Sequence, residues 1–367
     1  MQRDTLERAA RGDRITSDEA LELFEHASLT ELGLAAGAAC QRLHPEPVRT
    51  YVIDRNINYT NICISGCRFC AFFRPPGHPE GYLLSTESIL EKVREAVGLG
   101  ATQILMQGGL HPDLQVGFYE ELLRAIKTSF SVHVHSFSAP EIAHIARVSG
   151  LDVKSTLVRL RDAGLDSLPG GGAEILVDRV RGEVSPVKCS ASEWIGVMEA
   201  ASGIGMRATA TMVFGHVENH RERIEHLMAI RRLQGRTRVF TAFIPWTYQP
   251  VLRQAQDGTA LGGEAAGGHD YLRTLAISRL VLDNVPNIQA SWVTQGDAIA
   301  QVALRFGAND MGSTMMEENV VAAAGIRFTL SEERLVELIH DAGFDAAQRD
   351  TMYETVRMRR RAAGSRQ

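Results

Sequence analysis

Three of the five cysteines in this 367-residue chain lie close together, as Cys63, Cys67 and Cys70. Their spacing is C-x3-C-x2-C, and they directly follow segment 57–62, which predicts a β-strand. Three thiolates on one short loop at the end of a strand can bind three of the four irons of a 4Fe-4S cluster. The fourth iron is then free to bind a substrate or a second cofactor. The aromatic residue between the last two cysteines, Phe69, is expected beside the cluster.

Two other uses of these cysteines, a structural zinc site and an electron-transfer module, fit the sequence less well. A structural zinc site normally has four protein ligands in two pairs, but the remaining cysteines, Cys40 and Cys189, are isolated in the sequence. An electron-transfer module would need a fourth cysteine at the spacing found in ferredoxins, and the sequence has none. The pattern therefore favours a catalytic cluster with one open iron over a zinc site or an electron carrier.

The composition is that of an ordinary globular protein. The chain has 39 Lys and Arg against 44 Asp and Glu, a formal charge of −5, with 44% hydrophobic residues. This balance argues against a nucleic-acid partner, and the basic tail over 357–366 is expected to be solvated. Neither a secretory signal nor an apolar run of the roughly 20 residues that a membrane helix needs is present. With so few cysteines, we expect a cytoplasmic protein without a membrane partner.

From residue 57 onward, short strand-like segments alternate with segments of helical periodicity such as 85–97 and 218–233. Strand-helix alternation predicts an α/β fold with a parallel sheet. The predicted strands number eight, as expected for a (β/α)8 TIM-type barrel, closed or partly open. They are 57–62, 103–106, 131–137, 167–168, 206–213, 238–244, 288–291 and 308–311.

Helical segments are expected at both ends of this barrel. The sequence predicts an N-terminal helical extension over 1–50, the barrel over 51–325 and a C-terminal helical cap over 326–367. Two helices of the extension would begin at capping boxes, Thr16 with Glu19 and Ser28 with Glu31. The glycine-rich segment 257–269 reads as a loop after the sixth strand.

Further motifs stand where predicted strands end. Gln107-Gly108-Gly109 follows the second strand, the string Pro169-Gly-Gly-Gly-Ala-Glu174 follows the fourth, 213–218 follows the fifth, and Ile244-Pro245-Trp246 closes the sixth. Together with the cysteine loop, these strings resemble the radical S-adenosylmethionine (SAM) superfamily. The fifth-strand string departs from the family pattern, because Thr211 stands where its first glycine usually lies.

The resemblance implies a 4Fe-4S cluster and SAM as cofactors. In that superfamily, SAM chelates the open iron, and one electron from the cluster cleaves it to methionine and a 5′-deoxyadenosyl radical. The residues implied to hold the cluster are Cys63, Cys67 and Cys70. The residues implied to lie against SAM are Phe69, Gln107, Gly108, Gly109, Glu174, Val213, Gly215 and Trp246.

Longer strings narrow the resemblance to the menaquinone (futalosine pathway) and deazaflavin synthase branch. These strings are 56–63, 70–72, 135–138, 169–174, 307–310 and 312–314. Strings 243–250 and 291–296 look most like the cyclic dehypoxanthine futalosine synthases. That likeness implies an oxidoreductase, a cyclase, of menaquinone biosynthesis. Its small-molecule substrate would be dehypoxanthine futalosine, and its electron donor a flavodoxin or ferredoxin. Aminofutalosine synthase and the deazaflavin (FO) synthase subunits remain the alternatives.

The implied reaction needs a proton acceptor. The radical would abstract hydrogen from the ribose 4′ carbon, the carbon radical would attack the benzoate ring, and loss of one electron and one proton would restore aromaticity. We expect the acceptor among polar residues near strand ends, namely His135, His216 and Asp310, with Glu174 a further candidate. The benzoate carboxylate would be met by Arg74, Thr294 or Thr314.

Overall fold

The structure is a computed structural model that describes residues 2–250, 261, 266–323, 325 and 330–362. Most of the glycine-rich segment 257–269 and the end of the basic tail, 363–366, lie outside the described residues. The strands of the described residues are β1 Val48–Val52, β2 Asp54–Ile57, β3 Gln103–Met106, β4 His133–Ser136, β5 Ser167–Leu168, β6 Arg207–Phe214, β7 Phe240–Thr247, β8 Asn287–Ile288, β9 Asp310–Ser313, β10 Asp345–Arg349 and β11 Thr355–Arg359.

Helices separate most of these strands and cover the outside of the sheet. They are α1 Gln2–Arg11, α2 Ser17–His26, α3 Leu29–Leu43, α4 Thr86–Gly98, α5 Val116–Ser129, α6 Ala139–Val148, α7 Val153–Ala163, α8 Asp178–Val184, α9 Ala191–Gly203, α10 His220–Thr237, α11 Gly268–Val281, α12 Trp292–Gln295, α13 Asp297–Ala303, α14 Val320–Ala323 and α15 Glu332–Asp341.

The strands form two sheets that together make a barrel. A seven-stranded sheet has the order β2-β3-β4-β5-β6-β7-β8, and all its pairings are parallel. A four-stranded sheet has the order β11-β10-β1-β9. The sheets meet at two places, because β1 leads through Ile53 into β2, and one parallel bridge joins Gln289 to Asp310 of β9. This confirms the predicted α/β barrel of TIM type, in its partly open form.

Seven of the predicted strands overlap the seven-stranded sheet, whereas the eighth belongs to the smaller sheet. Segment 308–311 overlaps β9, which pairs with β1 and meets the end of β8 at one parallel bridge. The sequence analysis did not predict β1. This strand has only five residues, all of them buried or half-buried, so it lacks the alternation of apolar and exposed positions that marks a strand in a sequence.

The N-terminal segment is helical, as expected, but contains one more helix than predicted. Both predicted capping boxes are present, with Thr16 at the start of α2 and Ser28 at the start of α3. The added helix, α1, packs against α3, and α3 packs against α11 of the barrel. Its amphipathic face, which buries Leu6 and Ala9, attaches it to the rest of the extension.

The prediction of a C-terminal helical cap was wrong for its second half. Helix α15 is present, but the chain then forms β10 and β11, an antiparallel pair that extends the sheet from β1. The sequence of β10, Asp-Ala-Ala-Gln-Arg, is built of helix-forming residues. Pairing with β1 buries Ala346 and Ala347 and overrides this local preference.

A buried ion pair ties β10 to β9 at the junction of the two sheets. Arg349 donates from Nε to Asp310 Oδ2 (2.5 Å) and from Nη2 to Oδ1 (3.0 Å). Asp310 also accepts from the Thr50 hydroxyl (2.5 Å) and the Gly312 amide (2.8 Å). Both partners of the ion pair are almost completely buried, so each neutralises a charge that the interior could not otherwise hold.

Replacing Arg349 should therefore destabilise the protein strongly. We expect Arg349→Leu to lower the free energy of unfolding by about 3–5 kcal/mol, because it leaves the Asp310 carboxylate buried without its cation. Urea denaturation followed by circular dichroism measures this. Arg334→Leu is the matched control, since that arginine forms only exposed ion pairs with Asp297 and Glu337 and should unfold close to the wild type. Equal midpoints for the two variants would contradict this role of the buried pair.

Candidate active site

A cavity of about 290 Å³ occupies the barrel and opens at the carboxyl ends of its strands. That end of a parallel barrel is where loops bring functional residues together. Six residues of the sequence-derived site contribute to its lining: Phe69, Gln107, His135, Glu174, Val213 and Trp246. The predicted residues Gly108, Gly109, Gly215, His216 and Asp310 are outside this lining.

The cysteine loop follows β2 and lies beside the cavity. Cys63 and Cys67 are buried, Cys70 is half-buried, and all three are free thiols. The Ser65 hydroxyl contacts both the Cys63 sulfur (3.0 Å) and the Cys67 sulfur (3.3 Å). Gly66 has φ +55°, the left-handed conformation that lets the loop turn between these two cysteines. The loop thus brings its sulfurs to one side of a tight turn.

The end of β3 supports this loop through its backbone. The Gly109 amide donates to the Thr60 carbonyl (2.9 Å), and the Leu110 amide donates to the Cys63 sulfur (3.2 Å). A Cβ atom on Gly109 would lie 2.2 Å from the Ile62 carbonyl oxygen and 2.8 Å from the Cys63 Cβ. The close approach therefore requires glycine. Gly109 lies against the cysteine loop, and Gly108 lies beside the Tyr59 ring. The prediction that both glycines lie against SAM stays a prediction.

Sequence reasoning missed Glu141, which holds the Gly-Gly segment in place. This carboxylate is buried at the start of α6 and accepts from the Gly108 amide (2.9 Å) and the Tyr59 hydroxyl (2.9 Å). It also accepts from the amide (2.8 Å) and the hydroxyl (2.6 Å) of Ser138. Burial raises its pKa, and these hydrogen bonds act against that rise. The capping-box spacing of Ser138 and Glu141 was the available signal.

The cysteines fit a cluster better than a single metal ion. Within the described ranges, no group of three or more His, Cys, Asp or Glu side chains is arranged to hold one ion. In a cubane, each thiolate binds a different iron, so the sulfurs stand farther apart than the ligands of one ion. Burial raises the pKa of Cys70 to about 11 and also raises the pKa of Cys67. Thiolates here need a bound cation, which a cluster supplies.

Lys188 connects the cysteine loop to the fourth-strand motif. Its ammonium donates to Glu174 Oε1 (2.8 Å) and lies 5.3 Å from the centre of the Phe69 ring. Burial would raise the pKa of Glu174, but Lys188, together with Arg181, holds that pKa below its ordinary value. Glu174 is therefore a carboxylate at neutral pH, on the cavity wall, already paired with one cation. Sequence reasoning missed Lys188, because nothing in its local sequence distinguishes it.

His135 lines the cavity from β4. Its Nδ1 is 2.6 Å from the Ser167 hydroxyl on β5, and its Nε2 is 3.5 Å from the Thr209 hydroxyl on β6. Burial, together with the nearby His133 and Arg349, lowers the pKa of His135 to about 3. The imidazole is therefore neutral at physiological pH and has one nitrogen that can accept a proton.

His216 is committed to a local network away from the cavity lining. Its Nε2 is 2.9 Å from the Val213 carbonyl oxygen, and its Nδ1 accepts from the Val217 amide (2.8 Å). Its neighbour Glu218 accepts from the Gly215 amide (2.6 Å) and pairs with Arg223 (2.7 Å). Both imidazole nitrogens are therefore occupied. His216 and Gly215 form part of the turn that follows β6. Val213 is the residue of this motif that lines the cavity.

The remaining sequence-derived candidates divide between the cavity and other partners. Asp310 is enclosed by its ion pair with Arg349, so it is poorly placed to take a proton from a substrate. Arg74 pairs with Glu80 (2.7 Å) and donates to three carbonyls of its own loop. Thr294 lines the cavity, whereas Thr314 is buried and lies outside the lining.

The inner end of the cavity contains residues that sequence reasoning missed. Arg349 and Tyr353 from the C-terminal segment, and Asp54 and Asn56 from β2, all contribute to the lining. The Tyr353 hydroxyl and Asn56 Oδ1 are buried and have no hydrogen-bond partner among the residues that the structure describes. The C-terminal segment therefore forms part of the cavity, although it lies far from the motifs in the sequence.

Comparison with known families agrees with this geometry. Residues 57–230, which contain the cysteine loop and the β3, β5 and β6 motifs, match the Radical SAM superfamily. The chain belongs to the radical SAM superfamily. It is an enzyme whose cofactors are a 4Fe-4S cluster and SAM. Residues 237–362 match the CofH/MqnC C-terminal region, the part that supplies Arg349 and Tyr353 to the cavity.

The relatives of this chain include two kinds of enzyme. The chain is 47% identical to a cyclic dehypoxanthine futalosine synthase of Halalkalibacterium halodurans, over 96% of this chain and 94% of the relative. It is 46% identical to a protein of the same name from Streptomyces coelicolor, over 95% and 87%. It is also 42% identical to a 5-amino-6-(D-ribitylamino)uracil–L-tyrosine 4-hydroxyphenyl transferase of Methanococcoides burtonii, over 84% and 87%.

Solved structures share the fold at low sequence identity. A crystal structure of methylornithine synthase superimposes with a TM-score of 0.71 and 17% identity, covering 93% of this chain and 96% of that one. The hydrogenase maturase HydG from Carboxydothermus hydrogenoformans gives 0.72 and 16%, covering 95% and 80%. Within the described residues, no helix combines the length and apolar character needed to cross a membrane.

The Gly109 contact generates a testable prediction. We expect Gly109→Ala to bind severalfold less iron and sulfide after anaerobic reconstitution, because the added methyl group displaces the loop that carries Cys63. Iron and sulfide analysis with electron paramagnetic resonance measures the loss. Gly117→Ala is the control, since a Cβ at that position in α5 meets nothing within 4 Å. Full cluster content in Gly109→Ala would contradict the supporting role of the β3 end.

Proposed function

We propose that this radical SAM enzyme converts dehypoxanthine futalosine to cyclic dehypoxanthine futalosine, a step of menaquinone biosynthesis. The observation that carries the proposal is the 47% identity to the Halalkalibacterium halodurans synthase over nearly the whole of both chains. The cavity supports it, because it lies inside the barrel and combines apolar walls with a few polar groups. A site of this kind binds an organic molecule and fixes its orientation.

Cys63, Cys67 and Cys70 would hold three irons of the cluster, and Phe69 would lie beside it. When bound, the cluster supplies one electron to SAM and so makes a 5′-deoxyadenosyl radical available to the substrate. SAM itself would lie between the loop and the barrel, against Gln107, Glu174, Val213 and Trp246, which line that part of the cavity. Gly108 and Gly109 would act indirectly, by positioning the loop.

The barrel interior would control the reaction by position and by exclusion of water. A primary alkyl radical abstracts the nearest weakly bound hydrogen, so the ribose 4′ carbon must be held at van der Waals distance from it. Ile244 and Val213 give the lining an apolar character, which limits competing reactions with solvent. Of the two hydrogens lost by the substrate, one leaves as an atom in 5′-deoxyadenosine. The other leaves as a proton, and the electron lost balances the one given to SAM.

The proton would pass to His135. It is neutral, it lines the cavity, and its Nε2 has only a long contact with Thr209. His216 and Asp310, the other candidates from the sequence, are engaged in their own networks. A carboxylate on the substrate ring would find Thr294 in the lining, whereas Arg74 is already paired with Glu80.

A second candidate function is supported by the archaeal relatives. Identity of 42% to the Methanococcoides burtonii transferase makes the joining of tyrosine-derived and ribityl pieces, as in FO synthase, the alternative. Both reactions would use the same cluster and SAM, so the cysteine loop does not distinguish them. The physiological electron donor, a flavodoxin or ferredoxin, would serve either reaction.

Product analysis tests the proposal. We expect the reconstituted, reduced enzyme with SAM to convert dehypoxanthine futalosine to a product two hydrogen masses lighter, with one 5′-deoxyadenosine formed per product. Liquid chromatography with mass spectrometry measures both. A parallel incubation with 5-amino-6-(D-ribitylamino)uracil and tyrosine should give no coupled product. Coupling there, with dehypoxanthine futalosine unchanged, would establish the second function instead.

Two cysteine variants test the assignment of the cluster ligands. We expect Cys67→Ala to abolish 5′-deoxyadenosine formation, because it removes one of three ligands. Cys40→Ala is the matched control: its thiol is also buried, but it donates to the Ala308 carbonyl (3.7 Å) and is remote from the loop. Iron analysis and 5′-deoxyadenosine yield should both stay near the wild-type values in this control. Cleavage of SAM by Cys67→Ala would contradict the assignment.

A further inference from the structure

One hydroxyl group connects a histidine in the cavity to a histidine at the protein surface. Ser167 Oγ lies 2.6 Å from His135 Nδ1 and 2.7 Å from His133 Nε2. The two histidines are on the same strand, β4, and their side chains point to the same side because strand residues alternate. Ser167 belongs to β5, whose backbone pairs with His135. The three groups form a continuous hydrogen-bonded chain.

The chain runs from the cavity to the opposite end of the barrel. His135 lines the cavity and is 5% exposed, and Ser167 is 1% exposed. His133, the first residue of β4, is half-buried and lines a surface groove together with Lys127 and Asp166. The cysteine loop lies at the carboxyl ends of the strands, whereas this groove lies at their amino ends. The path therefore leads away from the end that the cofactors would cover.

We propose that His135, Ser167 and His133 form a proton relay that carries the proton lost by the substrate ring out through the amino-terminal end of the barrel. This inference rests on the proposed function, because it concerns the proton released in that reaction. His135 is the group that would touch the substrate. Ser167 and His133 act through it and are positioning and relay residues.

The proton balance can be written atom by atom. His135 Nε2 accepts the proton from the ring carbon, and the electron pair of that C–H bond stays with the ring system as it regains aromaticity. His135 Nδ1 passes its proton to Ser167 Oγ, and Ser167 passes its own proton to His133 Nε2. His133 then releases a proton from Nδ1 to water in the groove. The relay then holds the same number of protons as before, with both imidazoles in the opposite tautomer, and rotation of the rings and of the hydroxyl restores the starting arrangement.

The groups around each histidine suit these roles. His135 faces Ser167, Thr209 and Arg349, and its hydrogen-bond partners are hydroxyl groups, so the imidazole is neutral. Because burial lowers its pKa to about 3, it does not retain a second proton, and the Nδ1 proton must move on to Ser167 as Nε2 accepts one. At the surface end, burial lowers the pKa of His133, aided by Lys127, and Asp166 and Asp350 act against that lowering. Asp166 is itself fixed by Lys127 (2.5 Å) and by the Val134 amide (2.7 Å). His133 therefore lies near two carboxylates and next to solvent, which can take up a proton that it releases.

The relay is tested by uncoupling hydrogen abstraction from product formation. Abstraction precedes proton loss, so Ser167→Ala should still form 5′-deoxyadenosine. It should give roughly 100-fold less cyclised product per 5′-deoxyadenosine, the lower range of what a positioned acid-base group contributes. His133→Gln, which keeps a hydrogen bond but cannot pass a proton, should lower the same ratio. Ser167→Thr, which keeps the hydroxyl, should restore it.

Ser136→Ala is the matched control. This serine is also buried, lies on β4 beside His135, and has a hydroxyl without a hydrogen-bond partner. It should keep the wild-type ratio of product to 5′-deoxyadenosine, with iron content equal in all variants. A wild-type ratio in Ser167→Ala, or an equal loss in Ser136→Ala, would overturn the relay.

A measurement without substrate separates this inference from the proposed function. In ¹⁵N-histidine nuclear magnetic resonance of the protein without cofactors, Ser167→Ala should shift the imidazole signals of both His133 and His135, and Ser136→Ala neither. A shift in the signals of only one histidine, or of neither, would contradict the shared hydrogen bond. If the wild type forms no cyclised product, the proposed function fails by itself. The coupled shift of the two histidines still decides whether the relay exists.

Discussion

The contact between the backbone after β2 and the backbone after β3 is the constraint on which the site depends. Cys63 receives a hydrogen bond from the Leu110 amide, and Gly109 approaches the Ile62 carbonyl more closely than any side chain would allow. The carboxylate of Glu141 then fixes Gly108 from the other side. A loop that must carry three thiols has little structure of its own, so its shape is set by the neighbouring strand. The parallel pairing of β2 with β3 places that neighbouring strand beside the loop.

Two buried carboxylates of the interior, Glu174 and Asp310, are each paired with a cation. Glu174 stays ionised because Lys188 neutralises it, and Asp310 is matched by the bidentate Arg349. His135 has no such carboxylate and remains neutral. This contrast follows from burial, since a charge removed from water persists only beside an opposite charge. The neutral imidazole thus has one nitrogen with a lone pair and one N–H, so it can pass a proton on without keeping a charge.

The two ends of the barrel have different roles. The cysteine loop and the glycine motifs occupy the carboxyl ends of the strands, where cofactors would bind. The C-terminal segment lies at the other end and, through Arg349 and Tyr353, also lines the inner cavity. This arrangement explains why the part of the chain that matches the CofH/MqnC C-terminal region is integral to the site rather than an appendage.

The sequence by itself determined the cysteine loop, the parallel α/β barrel and most of its strands, because spacing and hydrophobic periodicity are local properties. Segments 103–106 and 167–168 coincide with β3 and β5. It could not reveal β10, whose helix-forming residues become a strand only by pairing with β1. Nor could it separate His135 from His216, since His135 lies near the end of one predicted strand and His216 just after another. Only the tertiary structure decided which imidazole lines the cavity and which is hydrogen-bonded within a turn. The surroundings of His135 depend on partners distant in sequence, such as Ser167 and Thr209.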